Sequence, residues 1–440
     1  MKGCEGTIMY NYPQGYVAAD GISVHCQQMF SSLPRSDQRR WAEVYVRGLL
    51  TVPGRKTVKR ISGEIAGGGA EQCLQQFVNQ STWRSDAIRR DVALLLTESL
   101  RPASWVLEDV VIPKNGCNSA GVDKQFVHPE GRTVNCQLGL ALFLSGEGWS
   151  SPVNWRLPLP ASWENDPVRR AKAHVPPTER CKPRWRHMLD MIDEATAEWT
   201  VPQRPVLGDL TADPEVEPFL RGLEERRLPY AMRVGLNRPA VTAAGTMRPV
   251  TAGQVISDAI RRDVTAVNGW HAVRTRSNLT RVIAVPLTPP RQRPACQRYL
   301  VAEWSTVWDT PRSAWVTSFP PRDISRLLEG IEGCSRLRTD MKVLYEDLGL
   351  RHFEGRSFSG WHHYATLVSV AAACRLLHLE FGADVPETRP AGGRVAAEHR
   401  WTGTDSMPKS SSSHRGYARQ HAIVQRPRGR LRDHSHGGGV

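Results

Sequence analysis

The sequence predicts a mixed α/β fold: a mixed sheet with flanking helices, preceded by a helical module. Three observations carry that prediction. The first hundred residues contain helical apolar periodicity and no β-rich run. From Ser104 the pattern changes to short runs of Val, Ile, Leu and Trp. From there the order reads three strands, helix, strand, helix, strand. A strand meander followed by βαβ crossovers builds one mixed sheet with helices laid against it.

Taken in order, Ser36 to Leu50 reads as a helix, with Ser36 and Asp37 as N-cap residues and Trp41, Val44, Tyr45 and Leu49 on one face. A second helix spans Ser85 to Leu100, carried by Ile88, Val92, Leu95 and Leu96. Between them lies a basic segment containing Arg55, Lys56, Lys59 and Arg60, a candidate DNA contact. The octapeptide Ser-Asp-Ala-Ile-Arg-Arg-Asp-Val stands at both 85–92 and 257–264 and reads as two similar helix starts. Trp105 to Ile112, Val134 to Leu144 and Pro152 to Leu159 read as strands, and Trp185 to Trp199 as a helix. Pro205 to Asp209 is a short strand ending in a carboxylate, Val216 to Arg227 a helix, and Leu228 to Val234 a strand. That order is ribonuclease-H-like. Short runs at Thr280–Val285, Tyr299–Trp304 and Ala314–Thr317 suggest a β-rich insertion; Asp323–Leu348 and Gly360–Phe381 read as helices. The expected division is a helical DNA-binding module at 1–102 and a catalytic core at 103–235. An insertion at 236–322, the C-terminal core helices at 323–383 and a basic disordered tail at 384–440 complete it.

Composition narrows the function. The 440 residues carry 58 Lys and Arg against 44 Asp and Glu, a net charge of +14 that points to a polyanionic partner. Pro386 to Val440 holds ten Lys or Arg against four Asp or Glu, so that stretch supplies six of the fourteen charges. No run reaches the roughly 18 apolar residues of a membrane span, and the first residues lack the apolar core of a secretion signal. A cytoplasmic protein is expected. Nine cysteines without a C-x-x-C pair read as reduced thiols. Phosphate-binding loops, dinucleotide fingerprints and H-E-x-x-H motifs do not occur, so nucleotide hydrolysis and zinc-protease chemistry are excluded.

Carboxylates at strand ends are the remaining chemistry. Asp109 in the first strand and Asp209 at the end of the fourth are expected side by side, as phosphoryl-transfer sites require of carboxylates that hold Mg²⁺. The surrounding residues resemble a known family. Glu108-Asp109 with Pro113-Lys114-Asn115-Gly116, then Val134-Asn135-Cys136-Gln137, then Pro152-Val153-Asn154-Trp155-Arg156 look like consecutive blocks of bacterial insertion-sequence DDE transposases. Val206-Leu207-Gly208-Asp209 and Leu348-Gly349-Leu350 through Trp361-His362 are similar to later blocks, in the same order.

The resemblance implies two Mg²⁺ or Mn²⁺ ions, double-stranded DNA at transposon ends and in the target, and a homodimer in the active complex. It puts the first acid on Asp109, with Glu108 as the adjacent alternative, and the second on Asp209. The third acid is where this chain departs. The family's glutamate falls on Arg338 and its lysine on Tyr345, while Asp340 is retained, and Val110 replaces the usual threonine. Asp340, Glu332 or Glu346 are the substitutes, with Asp340 the catalytic choice. Lys114, Arg356 and His362 join the DNA contacts on the same resemblance, His362 with helix packing as its other reading. A catalytically inactive transposase remnant, acting only as a DNA-binding protein, is the alternative that Arg338 and Val110 favour.

Overall fold

The computed structural model describes residues 21–381 except 128–129, 241–249, 262–269, 275–278, 288–296, 306–310 and 312. The tail expected to be disordered lies outside the described residues. Helices α1 (Gly21–Met29), α2 (Ser36–Thr51), α3 (Val58–Ile65), α4 (Glu71–Asn79) and α5 (Ser85–Leu100) come first. Strands β1 (Ser104–Pro113), β2 (Val122–Val127), β3 (Arg132–Gly146) and β4 (Trp149–Arg156) follow, then α6 (Pro167–Lys172), α7 (Arg184–Asp193), β5 (Val206–Asp209), α8 (Val216–Glu225) and β6 (Tyr230–Val234). Beyond them come β7 (Pro239–Ala240), β8 (Val250–Thr251), α9 (Ala252–Arg261), β9 (Trp270–Arg274), β10 (Leu279–Leu287), β11 (Arg298–Ser305) and β12 (Ser313–Thr317). The described chain ends with α10 (Ile324–Glu346) and α11 (Phe358–Phe381).

The sheet runs β2-β3-β1-β5-β6-β12-β11-β10-β9, with β4 also on β3. β1 is antiparallel to β3 and parallel to β5, which is parallel to β6. The core order β4-β3-β1-β5-β6 is therefore ribonuclease-H-like: three antiparallel strands, then two parallel ones reached by crossovers. β3 is long enough to serve two partners on its outer edge, β2 along 132–137 and β4 along 140–146, with a register shift at Leu142/Phe143. The runs beyond β6 continue the same sheet, β12 pairing directly with β6.

Several elements depart from the sequence reading, most for a local reason. β2 was not expected because its Val-Asp-Lys-Gln-Phe-Val buries only Val122 and Val127. The short α1, α3 and α4 were not expected either, although Val58, Ile61 and Ile65 of α3 and Leu74, Phe77 and Val78 of α4 fall at helical spacing. Arg35, not Ser36 or Asp37, is the N-cap of α2; Asp37 instead accepts from the Arg35 guanidinium at 2.9 Å and 2.6 Å. The helix through Trp199 ends as α7 at Asp193 and finishes in a π turn, Glu194–Glu198. The second octapeptide is not a helix start. Thr251 and Gln254 form a reciprocal capping pair that begins α9 at Ala252, so Ser257 falls in its C-terminal half.

α11 organises the interior. It is apolar all round, with Leu367, Val368, Val370 and Ala371 fully buried, as a helix surrounded by protein must be. Helices α1, α2, α4 and α5 pack on it from one side and β4 from the other. Arg89 of α5, 3% exposed, locks this joint by donating to Thr366 Oγ1 at 2.8 Å, the Trp155 carbonyl at 3.0 Å and the His362 carbonyl at 3.0 Å. Among the described residues no helix is long and apolar enough to cross a membrane.

Candidate active site

The site forms where β1 and β5 run parallel at the middle of the sheet. Their register pairs Val106 with Leu207 and Leu107 with Gly208, so Asp209 stands one step on, beside Glu108. Asp209 in turn pairs with Arg233 of β6, which pairs with Trp315 of β12. Successive strand residues face opposite ways. Glu108, Asp209 and Arg233 therefore share one face, and Asp109 lies on the other.

Close glycine contacts identify what covers each face. A Cβ on Gly330 of α10 would meet Leu207 Cδ2 at 2.8 Å, and one on Gly139, the partner of Val110, would meet Trp361 of α11 at 2.9 Å. The face carrying Val106, Glu108 and Val110 is thus the one beneath α10 and α11. Asp109 instead accepts from Arg184 Nε of α7 at 2.9 Å, and the same guanidinium binds Asp213, which is 7% exposed. The Asp109–Asp209 pairing expected from the sequence is not what the strands bring together; Glu108 and Asp209 are.

Electrostatics single out Glu108. Burial, with Asp109 and Asp209 nearby, pushes its carboxyl up to about 7, while Arg184 and Arg338 pull the other way. Asp209 is fixed from two sides: one oxygen accepts from Thr211 N at 2.8 Å and Thr211 Oγ1 at 2.6 Å, the other from Arg233 Nη1 at 3.1 Å. Burial raises the Arg184 environment's cost, yet the two carboxylates it joins lift its pKa above the ordinary arginine value.

α10 lays Cys334, Arg338 and Tyr345 along one stripe, four and seven residues apart. Burial beside Glu108 and Asp209 raises the Cys334 thiol. Tyr345 Oη accepts from Val111 N at 3.2 Å, under the Arg351 guanidinium 3.7 Å from its ring. Arg338 is exposed between them, within electrostatic reach of Glu108. Asp340 points elsewhere and accepts from Ser150 Oγ. Ser150 is in register with Ser145 and through it with Ser104, four residues before Glu108, or about 13 Å at the strand rise. Glu332 lines a cavity of about 540 Å³ with Ser104 and Ser145, at that same end, and Glu346 meets Lys342 at 3.8 Å.

Among the described residues no group of three or more His, Cys, Asp or Glu is placed to hold a metal. The hard oxygens of Glu108 and Asp209 suit one divalent cation of the Mg²⁺ type, which keeps water in its remaining positions. They do not suit the three-acid, two-ion set.

The expected DNA contacts are distant in sequence but several meet at the C-terminal end of β1. Arg55 pairs with Glu354 at 3.0 Å, the Lys56 N–H donates to His352 Nδ1 at 3.1 Å, and Lys114 Nζ donates to the Phe353 carbonyl at 2.7 Å. The Arg356 carbonyl accepts from Ala120 N at 2.9 Å, its side chain exposed. Lys59 is exposed, and Arg60 meets Glu64 at 3.1 Å. The Lys56 ammonium is turned inward onto the Val52 carbonyl. His362 faces the interior against Arg89 at 3.0 Å, and burial holds its imidazole well below the usual range. Sequence reasoning missed Arg184 and Arg233; the alternation of Tyr230 to Val234 opposite a strand ending in Asp209 was the one available signal for Arg233.

The family model described as DDE superfamily endonuclease matches residues 28–255, a span that holds Glu108, Asp109 and Asp209 and ends before α10. No curated protein matches the chain. Fold, strand-borne acids and family match agree, and the chain belongs to the DDE superfamily endonucleases.

Proposed function

We propose that the chain is a bacterial insertion-sequence transposase, a DNA endonuclease that cuts at transposon ends with Glu108 and Asp209 holding a divalent cation. DDE superfamily endonucleases generally use divalent metal ions. The observation that carries the reading is the convergence of Glu108 and Asp209 on one face beneath α10. A bound Mg²⁺ or Mn²⁺ would lower the pKa of an attacking water and offset phosphate charge. The chain's own residues do the positioning. Thr211 and Arg233 orient Asp209, and Arg184 keeps Asp109 engaged on the opposite face. Arg55, Lys114 and Arg356 line the approach at the end of β1, where a duplex backbone would lie. The substrate is double-stranded DNA, at transposon ends and in the target, and the active complex is a homodimer working in the cytoplasm.

Nicking of supercoiled plasmid tests this in Mn²⁺ and in Mg²⁺. Glu108→Gln and Asp209→Asn are expected to abolish nicking, whereas Asp109→Asn retains it. Nicking that survives both of the first two substitutions overturns the reading. A second reading, a catalytically silent DNA-binding remnant, is favoured by Arg338 within electrostatic reach of Glu108. It predicts a folded chain that binds DNA and never nicks, even with transposon ends supplied.

A further inference from the structure

A two-ion phosphoryl-transfer site needs positive charge both at the attacking oxygen and at the leaving one. Glu108 and Asp209, when ionised, carry two negative charges, enough for one dication. Near the third-acid position the chain presents a cation. Arg338 lies on the α10 stripe between Cys334, which is within electrostatic reach of Glu108 and Asp209, and Tyr345, which is hydrogen-bonded to Val111. Arg184 and Arg233 are held by carboxylates, at 2.9 Å and 3.1 Å, whereas Arg338 is exposed on the α10 face that lies over Glu108. Asp340, the one acid retained nearby, is engaged by Ser150 on another side of the helix.

We propose that Arg338 is a catalytic residue that supplies, at the leaving oxygen, the positive charge a second divalent ion would supply. The site then cuts with one ion and one guanidinium. This rests on the reading of Glu108 and Asp209 as the cleavage pair. In the step, a water oxygen bonds to phosphorus and the P–O3′ bond breaks. O3′ departs with the bonding electron pair and takes a proton from solvent, and the water's proton passes to solvent. Arg338 hydrogen-bonds to O3′ as its charge develops and keeps its own protons, as a guanidinium must at neutral pH.

The test uses the full chain, plasmid nicking and calorimetric Mn²⁺ binding on wild type, Arg338→Ala, Arg338→Lys and Arg338→Glu. Wild type is expected to bind one Mn²⁺ per chain. Arg338→Ala should nick on the order of a thousandfold more slowly while still binding that ion. Arg338→Lys should recover part of the rate, and Arg338→Glu should bind two ions. Two Mn²⁺ per wild-type chain, or Arg338→Ala nicking within roughly threefold of wild type, overturns this inference and leaves the cleavage pair standing. Nicking that persists in Glu108→Gln and Asp209→Asn overturns the pair itself. A wild type that binds Mn²⁺ and DNA without nicking overturns both.

Discussion

Two adjacent acids at the middle of one strand have opposite lives in this protein. Glu108 faces α10, half-buried beside Asp209, while Asp109 faces α7 and is neutralised by Arg184. The consequence for pH follows from the sign of the shift. The folded state binds the Glu108 proton more tightly than the unfolded chain does. The associated stability is therefore fully present below the ordinary glutamate value of 4.5 and is lost as pH rises through about 7. Denaturant titrations of the metal-free chain between these values are expected to show a falling stability that Glu108→Gln flattens; an unchanged slope in the variant would refute the assignment. Nicking should rise over the same window, because only the ionised carboxylate binds a cation. The sequence marked both acids as candidates. It could not say which one faces α10, since that depends on the side of the sheet from which a helix more than two hundred residues later arrives.

At the level of elements, the parts that the sequence made legible are those whose apolar pattern is strong. β1, β3, α5 and α11 lie within a few residues of where periodicity puts them. β2 was invisible because it is mostly polar, and α9 reads as starting late, at Ser257, because the Thr251–Gln254 capping pair that begins it lies outside any long apolar run. How the elements are joined was also hidden. Arg89 sits in an octapeptide that reads as an ordinary helix start, yet its guanidinium bridges α5, β4 and α11, and burial pulls its pKa down to about 9. Arg89→Leu would leave the His362 ring nitrogen without its partner and the Trp155 carbonyl with Arg156 Nη1 alone, at 3.1 Å. A loss of about 1–3 kcal/mol in urea unfolding is expected for one buried group left unpaired. A variant as stable as wild type would show that the joint is held by α11 packing alone.

Across the whole molecule, the helical segments and the sheet share α11 as their common core, and the basic residues of three remote stretches come to the same end of β1. The Lys56–His352 contact spans 296 residues of sequence, and Lys114–Phe353 spans 239. If a duplex lies along this edge, replacing Arg55 and Arg356 with alanine should weaken DNA binding similarly for all sequences. Each replacement should also lower the slope of log K against log salt by about one. A slope unchanged in the double variant would place the duplex elsewhere. Lys56→Ala belongs to a different class: its ammonium is turned inward, so its effect should appear in stability and not in the salt slope.

By itself the sequence determined the mixed α/β class, the order of the principal strands and helices, the acids at strand positions 108, 109 and 209, and the arginine at 338. These follow from local pattern and from motif blocks, which are properties of short stretches of chain. Only the tertiary structure decided that Glu108 and not Asp109 stands beside Asp209, that Asp340 is turned to Ser150, and that Arg55, Lys114 and Arg356 meet at one edge. Strand register and the face on which a helix lands are set by packing between residues hundreds of positions apart. A one-residue difference in either moves a carboxylate to the opposite side of the sheet.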